Sequence, residues 1–435
     1  MKGTTYSIWT TSMLALLLTL SPCHLVPLSP CHAENWPGWR GPRGDGTSHE
    51  RGLPLSWSES QNIRWKTAIP GKGHSSPIVW GDRVFVTTCL EDKGERVLIC
   101  INRPDGKILW QRVVLTAPLE RKHALNSYAS ATAVTDGKNV WVAFLAYPDM
   151  QVACYDFDGN KVWMRSPGKL LSMHGFCSSP ILHKNLVILN GDQDAEGYLV
   201  ALDKETGAER WRIDRPNHTR SYCTPILIHS KNKPDVTQLV LSGSKCVTGY
   251  DADTGKLLWI LDGPTEQYVA SLVFLDDVLF LTTGFPEFHL MGISPEGQGN
   301  ITHTKYIRWH IPHKVNRVNS NSGASYVPSP IAAGGHFYVV SDNGYLSCLD
   351  PQTGKRPWKK QLARHVSASP VVADGYLYFA DDDGATHVLK ANAESTVIHK
   401  NQLGDECYAS PAVSQGQILI RGLRNLYCIG VDTRK

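Results

Sequence analysis

The chain has 435 residues, 42% of them hydrophobic and 19% charged, with 44 Lys and Arg against 40 Asp and Glu. This composition excludes a disordered chain, and a net charge of +4 with no Lys/Arg-rich block argues against nucleic acid as a partner. Beyond residue 33 no run of 18 apolar residues occurs, so no membrane span is expected.

Residues 1–33 read as a signal peptide. Lys2 gives the positive start, Met13 to Leu20 is an apolar core too short to cross a bilayer, and Cys31-His32-Ala33 ends on a small residue. The mature chain is expected to begin near Glu34, to carry a net charge of about +3, and to be secreted or periplasmic. Leu20 and Leu28 each stand three before a Cys, but Pro22 and Pro30 directly precede those Cys, a poor fit to a lipidation box. Lipoprotein anchoring is therefore disfavoured.

Residues 34–61 form an extended N-terminal arm. Trp36-Pro37-Gly38-Trp39-Arg40-Gly41-Pro42 cannot be helical. Its two Trp are expected to dock on the folded region C-terminal to the arm, with a flexible tether as the alternative.

From residue 62 to 435 one unit recurs with a period near 48 residues. Each copy opens on an inner strand marked by Ser-Pro or a variant: Ser76-Pro77, Ser130-Ala131, Ser179-Pro180, Thr224-Pro225, Ser271-Leu272, Ser329-Pro330, Ser369-Pro370 and Ser410-Pro411. A β-branched and aromatic strand follows, as in Tyr376-Leu377-Tyr378-Phe379, then a Gly-bearing turn and a third strand. The turn into the fourth strand is Asp-x-x-Thr-Gly, clearest at Asp203–Gly207, Asp251–Gly255 and Asp350–Gly354. There Asp can accept backbone N–H groups two residues on, and Gly accepts a left-handed conformation.

The fourth strand carries a Trp. Trp65, Trp110, Trp163, Trp211, Trp259, Trp309 and Trp358 are expected to fill the gaps between neighbouring units. The seventh unit has no Trp, and Val397-Ile398-His399-Lys400 is its outer strand. Trp65 precedes the first unit, whereas the last unit runs out after its third strand. Ile63-Arg64-Trp65-Lys66 is thus expected to complete the last sheet. The expectation is an all-β, eight-bladed β-propeller with four-stranded antiparallel blades, closed by an N-terminal strand.

Nine Cys lie beyond residue 33. Cys100, Cys154, Cys348 and Cys428 share one repeat position, which Ala201, Gly249 and Gly292 fill elsewhere. A position that takes Ala, Gly or Cys is a tight packing site, so these are expected to be free, buried thiols. Asp381-Asp382-Asp383-Gly384 and Asp192-Gln193-Asp194 read as polar turns, since calcium needs six or more spaced oxygens. His174 and Cys177 are two ligands at most, short of a tetrahedral metal site. No Gly-x-Ser-x-Gly, Walker or His-Glu-x-x-His motif occurs. No catalytic, cofactor-binding or metal residue is assigned.

The loops from an outer strand to the next inner strand open on one face of such a ring. They supply His74, His123, Tyr128, His174, Arg220, Tyr222, Arg364, His365, Glu406 and Tyr408, together with Lys72, Arg121, Lys122, Asn126, Gln267, Arg317 and Asn319. Cations and imidazoles outnumber acids, which suits a protein or an anionic or polar ligand. Solvated, functionless loops are the alternative. A monomer is expected.

Ala201-x-Asp203-x-x-Thr206-Gly207-x-x-x-Trp211 resembles the pyrroloquinoline quinone (PQQ)-like propeller repeat, and the resemblance runs from about residue 60 to 432. It implies the propeller fold and two functional branches. Quinoprotein dehydrogenases hold PQQ with calcium or a lanthanide in the funnel, and many have an adjacent Cys pair, which this sequence lacks. The other branch, typified by BamB, is non-enzymatic and binds a partner protein through its loops. The resemblance favours the BamB-like binding scaffold with no cofactor. PQQ and Ca²⁺ enter only under the alternative of a PQQ-dependent alcohol or sugar oxidoreductase.

Overall fold

The computed structural model describes residues 1, 3–4, 33–215, 217–313 and 323–431. The signal peptide expected at 1–33 falls almost wholly outside these residues, as do Arg317 and Asn319. No helix occurs among the described residues, so none is long and apolar enough to cross a membrane.

Eight antiparallel sheets of four strands form a ring, the predicted eight-bladed propeller. Blade 1 runs outward through Ile78–Trp80, Arg83–Leu90, Glu95–Asn102 and Ile108–Thr116. Its outer hairpin sets Cys100 opposite Trp110. Blades 2 to 7 repeat this order, and Val397–Gln402 is the outer strand of blade 7. Blade 8 takes three strands from residues 412–429 and its fourth, Ile63–Ala68, from the start of the ring. Trp65 lies opposite Cys428 there, so both ends of the repeat region share one sheet.

The cross-strand register explains the small-residue position. Trp110, Trp163, Trp211, Trp259, Trp309, Trp358 and Trp65 face Cys100, Cys154, Ala201, Gly249, Gly292, Cys348 and Cys428. A Cβ on Gly249 would lie 2.3 Å from the Trp259 ring, which leaves no room for a larger side chain. The nine Cys among the described residues are free; Cys177 is partly exposed and the rest are buried.

Most of these Trp then reach the next blade. Indole N–H groups donate to the carbonyls of Arg103 (from Trp65, 2.6 Å), Phe157 (from Trp110, 2.9 Å), Lys204 (from Trp163, 3.0 Å) and Pro351 (from Trp309, 2.8 Å), and Trp358 donates to Ala393. Each acceptor lies in the turn before the neighbour's outer strand. Gly207, at φ 71°, shows why Gly ends that turn: a Cβ there would meet the Trp163 ring at 2.8 Å. Within the turn Asp203 Oδ1 accepts the N–H of Glu205 at 3.1 Å and of Thr206 at 3.0 Å. Trp259 instead donates within its own blade, to Gln238 Oε1 at 2.8 Å.

Around the axis the inner strands join through a closed belt. The backbone N–H of Ser76 donates to Thr132 Oγ1, Thr132 to Ser179, Ser179 to Thr224, Thr224 to Ser271, Ser271 to Ser329, Ser329 to Ser369, Ser369 to Ser410, and Ser410 back to Ser76, all at 2.9–3.1 Å. The belt corrects one expectation. The second unit contributes Thr132-Ala133, not Ser130-Ala131, because Thr132 stands at the belt position. The Ser130 hydroxyl instead bonds Asn126 Oδ1 at 2.6 Å, within the preceding loop.

The arm packs on the face opposite the outer-to-inner loops. Trp36, 1% exposed, exchanges two 2.8 Å backbone hydrogen bonds with Val79. Thr47–Ser48 adds a parallel strand to Val371–Ala373 of blade 7. Glu50 is fully buried and accepts the N–H groups of Gln415 (2.6 Å) and Gly416 (2.7 Å). Arg40 enters the axis and donates to the carbonyls of Pro330 (2.5 Å) and Pro370 (3.1 Å), directly after two belt residues. Burial pulls its pKa down to about 10, against the opposing pull of Asp45. Trp39 is half-buried beside Arg40, 5.8 Å from its guanidinium carbon.

Candidate functional site

The connections between outer and inner strands, and between second and third strands, share one face. The loop residues singled out from the sequence fall there in three groups. His74, at the entry to blade 1, stacks on Tyr408 at 4.7 Å, and the Tyr408 hydroxyl donates to Glu406 Oε2 at 2.9 Å. Burial first, then the cations of Arg421 and Lys122, lowers the His74 pKa to about 4. Burial, then Glu406, pushes the Tyr408 phenol up to about 12.

A second group lies over blades 1 to 3. His123 meets His174 edge-on at 5.6 Å, and His174 lies 6.2 Å from Tyr222. Tyr222 is 9% exposed and its hydroxyl sits 3.0 Å from Ser172 Oγ. The Asn126 amide donates to the His174 carbonyl at 2.8 Å, tying two loops together. Burial, with Arg220 and His123 adding to it, lowers the His174 pKa. Arg220 is ion-paired with Asp194. Tyr128 carries the Lys122 ammonium at 5.1 Å on its ring, with Arg96 at 5.5 Å.

Arg364 and His365 are exposed between blades 6 and 7, where the His365 carbonyl accepts the Asp382 N–H at 3.1 Å and the Asp382 carbonyl accepts the Cys407 N–H at 3.3 Å, next to the first group. Arg364 lines an open groove of about 450 Å³ with Asp381, Asp383 and Lys400. Lys72 pairs with Glu91 at 3.4 Å, and Gln267 accepts the Tyr326 hydroxyl at 3.1 Å.

Much of the expected excess of positive charge is neutralised or exposed singly. Arg96 is fully buried and paired with Glu120, a pair the loop composition did not reveal. Tyr326 was also missed, although a signal existed. Tyr128, Tyr222, Tyr268, Tyr326 and Tyr408 each stand two to four residues before a belt hydroxyl. The least expected feature is apolar. Leu119 (38% exposed), Leu125 (56%), Tyr147 (55%) and Met173 (46%) all protrude on this face over blades 1 to 3. Arg121, Tyr147 and Met173 share a cavity of about 420 Å³ with Leu171, Ser172 and Asp194.

A family model described as outer membrane protein assembly factor BamB matches residues 50–167, 97–278 and 307–422. The chain is 22% identical to an outer membrane protein assembly factor BamB of Yersinia pestis over 385 residues, 82% of this chain and 85% of that protein. It is 29% identical to BamB of Burkholderia pseudomallei (strain K96243) over 100 residues, 23% of this chain and only 26% of that protein. The structure of BamB from Moraxella catarrhalis superposes with a TM-score of 0.59 at 11% identity, covering 86% of this chain and 98% of that one. A europium-containing methanol dehydrogenase superposes at 0.64 with 13% identity, covering 90% of each chain. At such identities the structural likeness establishes the fold alone.

A metal-bound quinone needs free carboxylates in the funnel, and the described residues do not fit that need. Asp342 accepts the N–H groups of Tyr326 (2.7 Å) and Val327 (2.9 Å), and Asp382 accepts Ser367 N–H at 2.7 Å. Asp381 is hydrogen-bonded to His387 at 2.9 Å, and buried Asp192 to Arg215 at 2.8 Å. Among the described residues no group of three or more His, Cys, Asp or Glu side chains could share a metal ion.

Proposed function

Because the chain belongs to the family described as outer membrane protein assembly factor BamB, we propose that it is a non-catalytic binding scaffold. It acts outside the cytoplasm, in the periplasm or at the outer membrane. Its partner is a protein component of outer-membrane protein assembly, held on the loop face.

One observation carries this reading. Leu119, Leu125, Tyr147 and Met173 expose apolar surface on adjoining loops of a single face, beside the exposed cation Arg121. Apolar groups clustered on loops and rimmed by polar ones are the usual mark of a protein-binding surface. The partner segment suited to it has an apolar anchor for the Tyr147–Met173 cavity and an acidic group for Arg121.

The test is a double substitution, Leu125→Asp with Met173→Asp. Retention of an assembly component by the mature protein should fall at least about tenfold. The melting temperature should stay within a few degrees, since both side chains are exposed. Undiminished retention would overturn the reading. So would tight quinone binding with alcohol or sugar turnover when PQQ, Ca²⁺ and an artificial electron acceptor are supplied.

A further inference from the structure

The outer strand of a propeller blade is an open sheet edge, and proteins protect such edges with charge, proline or a covering segment. Seven blades here follow that rule. Blade 2 exposes Lys161 and Arg165 and contains Pro167, and blade 3 exposes Arg210 and Arg212. Blade 4 is covered, because Gly299–Asn300 lies parallel to Trp259–Ile260. Blade 5 exposes Arg308, blade 6 Lys360, blade 7 Lys400 and blade 8 Lys66.

Blade 1 is the exception. Its outer strand Ile108–Thr116 has nine residues, and among the described residues nothing pairs with its outer edge. The exposed positions are Leu109 (44%), Gln111, Val113 (50%) and Thr116, none of them charged. The strand's one cation, Arg112, is half-buried and turned toward blade 2, where it donates to the Gly159 carbonyl at 2.8 Å.

We propose that this strand pairs antiparallel with the same strand of a second copy of the chain, about a two-fold axis through Gln111. The pattern is self-complementary. That axis sets Leu109 opposite Val113 of the second copy at both ends, and Gln111 opposite itself. Trp110 then faces Arg112 of the second copy, and no like charges are directly opposed. An isologous contact of this kind closes at two subunits, so it gives a dimer and not a filament. Blade 4 shows that an outer edge of this propeller accepts an added extended segment. A single pair of nine-residue strands lies at or below the roughly 1,000 Å² expected of a specific interface. The dimer is therefore weak and depends on concentration. The strand ends at Thr116, three residues before Leu119 of the loop face, but the contact centres on Gln111 and its test reads self-association, not retention of a partner.

Sedimentation velocity of the full-length protein over a concentration series tests this. The wild type should shift from monomer toward dimer as concentration rises. Val113→Lys alone and Leu109→Glu alone should each weaken self-association at least about tenfold. An equimolar mixture of those two variants should recover the dimer, because Lys at 113 then meets Glu at 109 across the axis. Val397→Lys, at a comparably exposed position of blade 7, should change nothing. A wild type that stays monomeric at all concentrations would overturn the proposal, as would a dimer that survives Val113→Lys or a mixture that fails to recover it.

Discussion

His74 owes its charge state to where it stands. The entry to blade 1 buries its ring against Tyr408 and, secondly, sets it under the field of Arg421 and Lys122, so it stays neutral well below its ordinary pKa of 6.5. The unfolded chain takes up a proton near pH 6.5, while the folded one resists until about 4. This group's contribution is thus fully present above pH 6.5 and is lost as pH falls toward 4. Replacing His74 with Gln should flatten the stability profile in that window and leave the difference between the proteins constant above about pH 7. Denaturant titrations from about pH 4 to 8 measure it. An unchanged slope would mean the imidazole is solvated. The sequence marked His74 as a loop imidazole suited to a polar or anionic ligand, but it could not show that burial, helped by neighbouring cations, keeps the ring uncharged.

Among the elements, the N-terminal arm is the one whose role sequence described least. Its Gly, Pro and Trp content predicted an extended segment. The docking of Trp36 depends on two hydrogen bonds to Val79, a contact set by the first blade and not by the arm's own sequence. Trp36→Ala should cost about 3–5 kcal/mol if the arm and ring unfold together. In hydrogen exchange, the amides of Val79 and Val372 should lose protection first, since both donate to arm carbonyls. Intact protection at those amides would show that the arm grips the ring elsewhere. The outer Trp strands were easier to read. Their spacing of roughly one blade is local, and the small residue opposite each Trp is a constraint written into every repeat. Trp211 is the weaker member of that set, half-buried with an unpartnered indole N–H, which no feature of its own cassette distinguishes.

At the scale of the whole molecule, eight sheets and their closure were legible because a copied unit carries its own turn chemistry and packing. The candidate site was legible only as a face. Which loop side chains meet depends on loop conformations that repeat nothing, so Arg364 and His365 proved remote from the His123–His174–Tyr222 group, and the Arg96–Glu120 pair gave no signal. Closure itself can be tested at the belt. Ser271→Ala removes the acceptor for the buried Thr224 N–H and should cost about 1–3 kcal/mol. Thermal unfolding should remain a single cooperative transition, because the remaining links still bind every blade to a neighbour. A variant as stable as the parent would show that those contacts are incidental.

All eight links of that belt point the same way round, each blade giving to the next. Such a circuit has no first member, and no blade holds a privileged place in it. Whatever makes one sector recognise something its neighbours do not must be written in the surface segments outside the circuit. Those segments are free to diverge while the hub keeps turning out the same frame, which lets descendants exchange one associate for another without relearning how to fold.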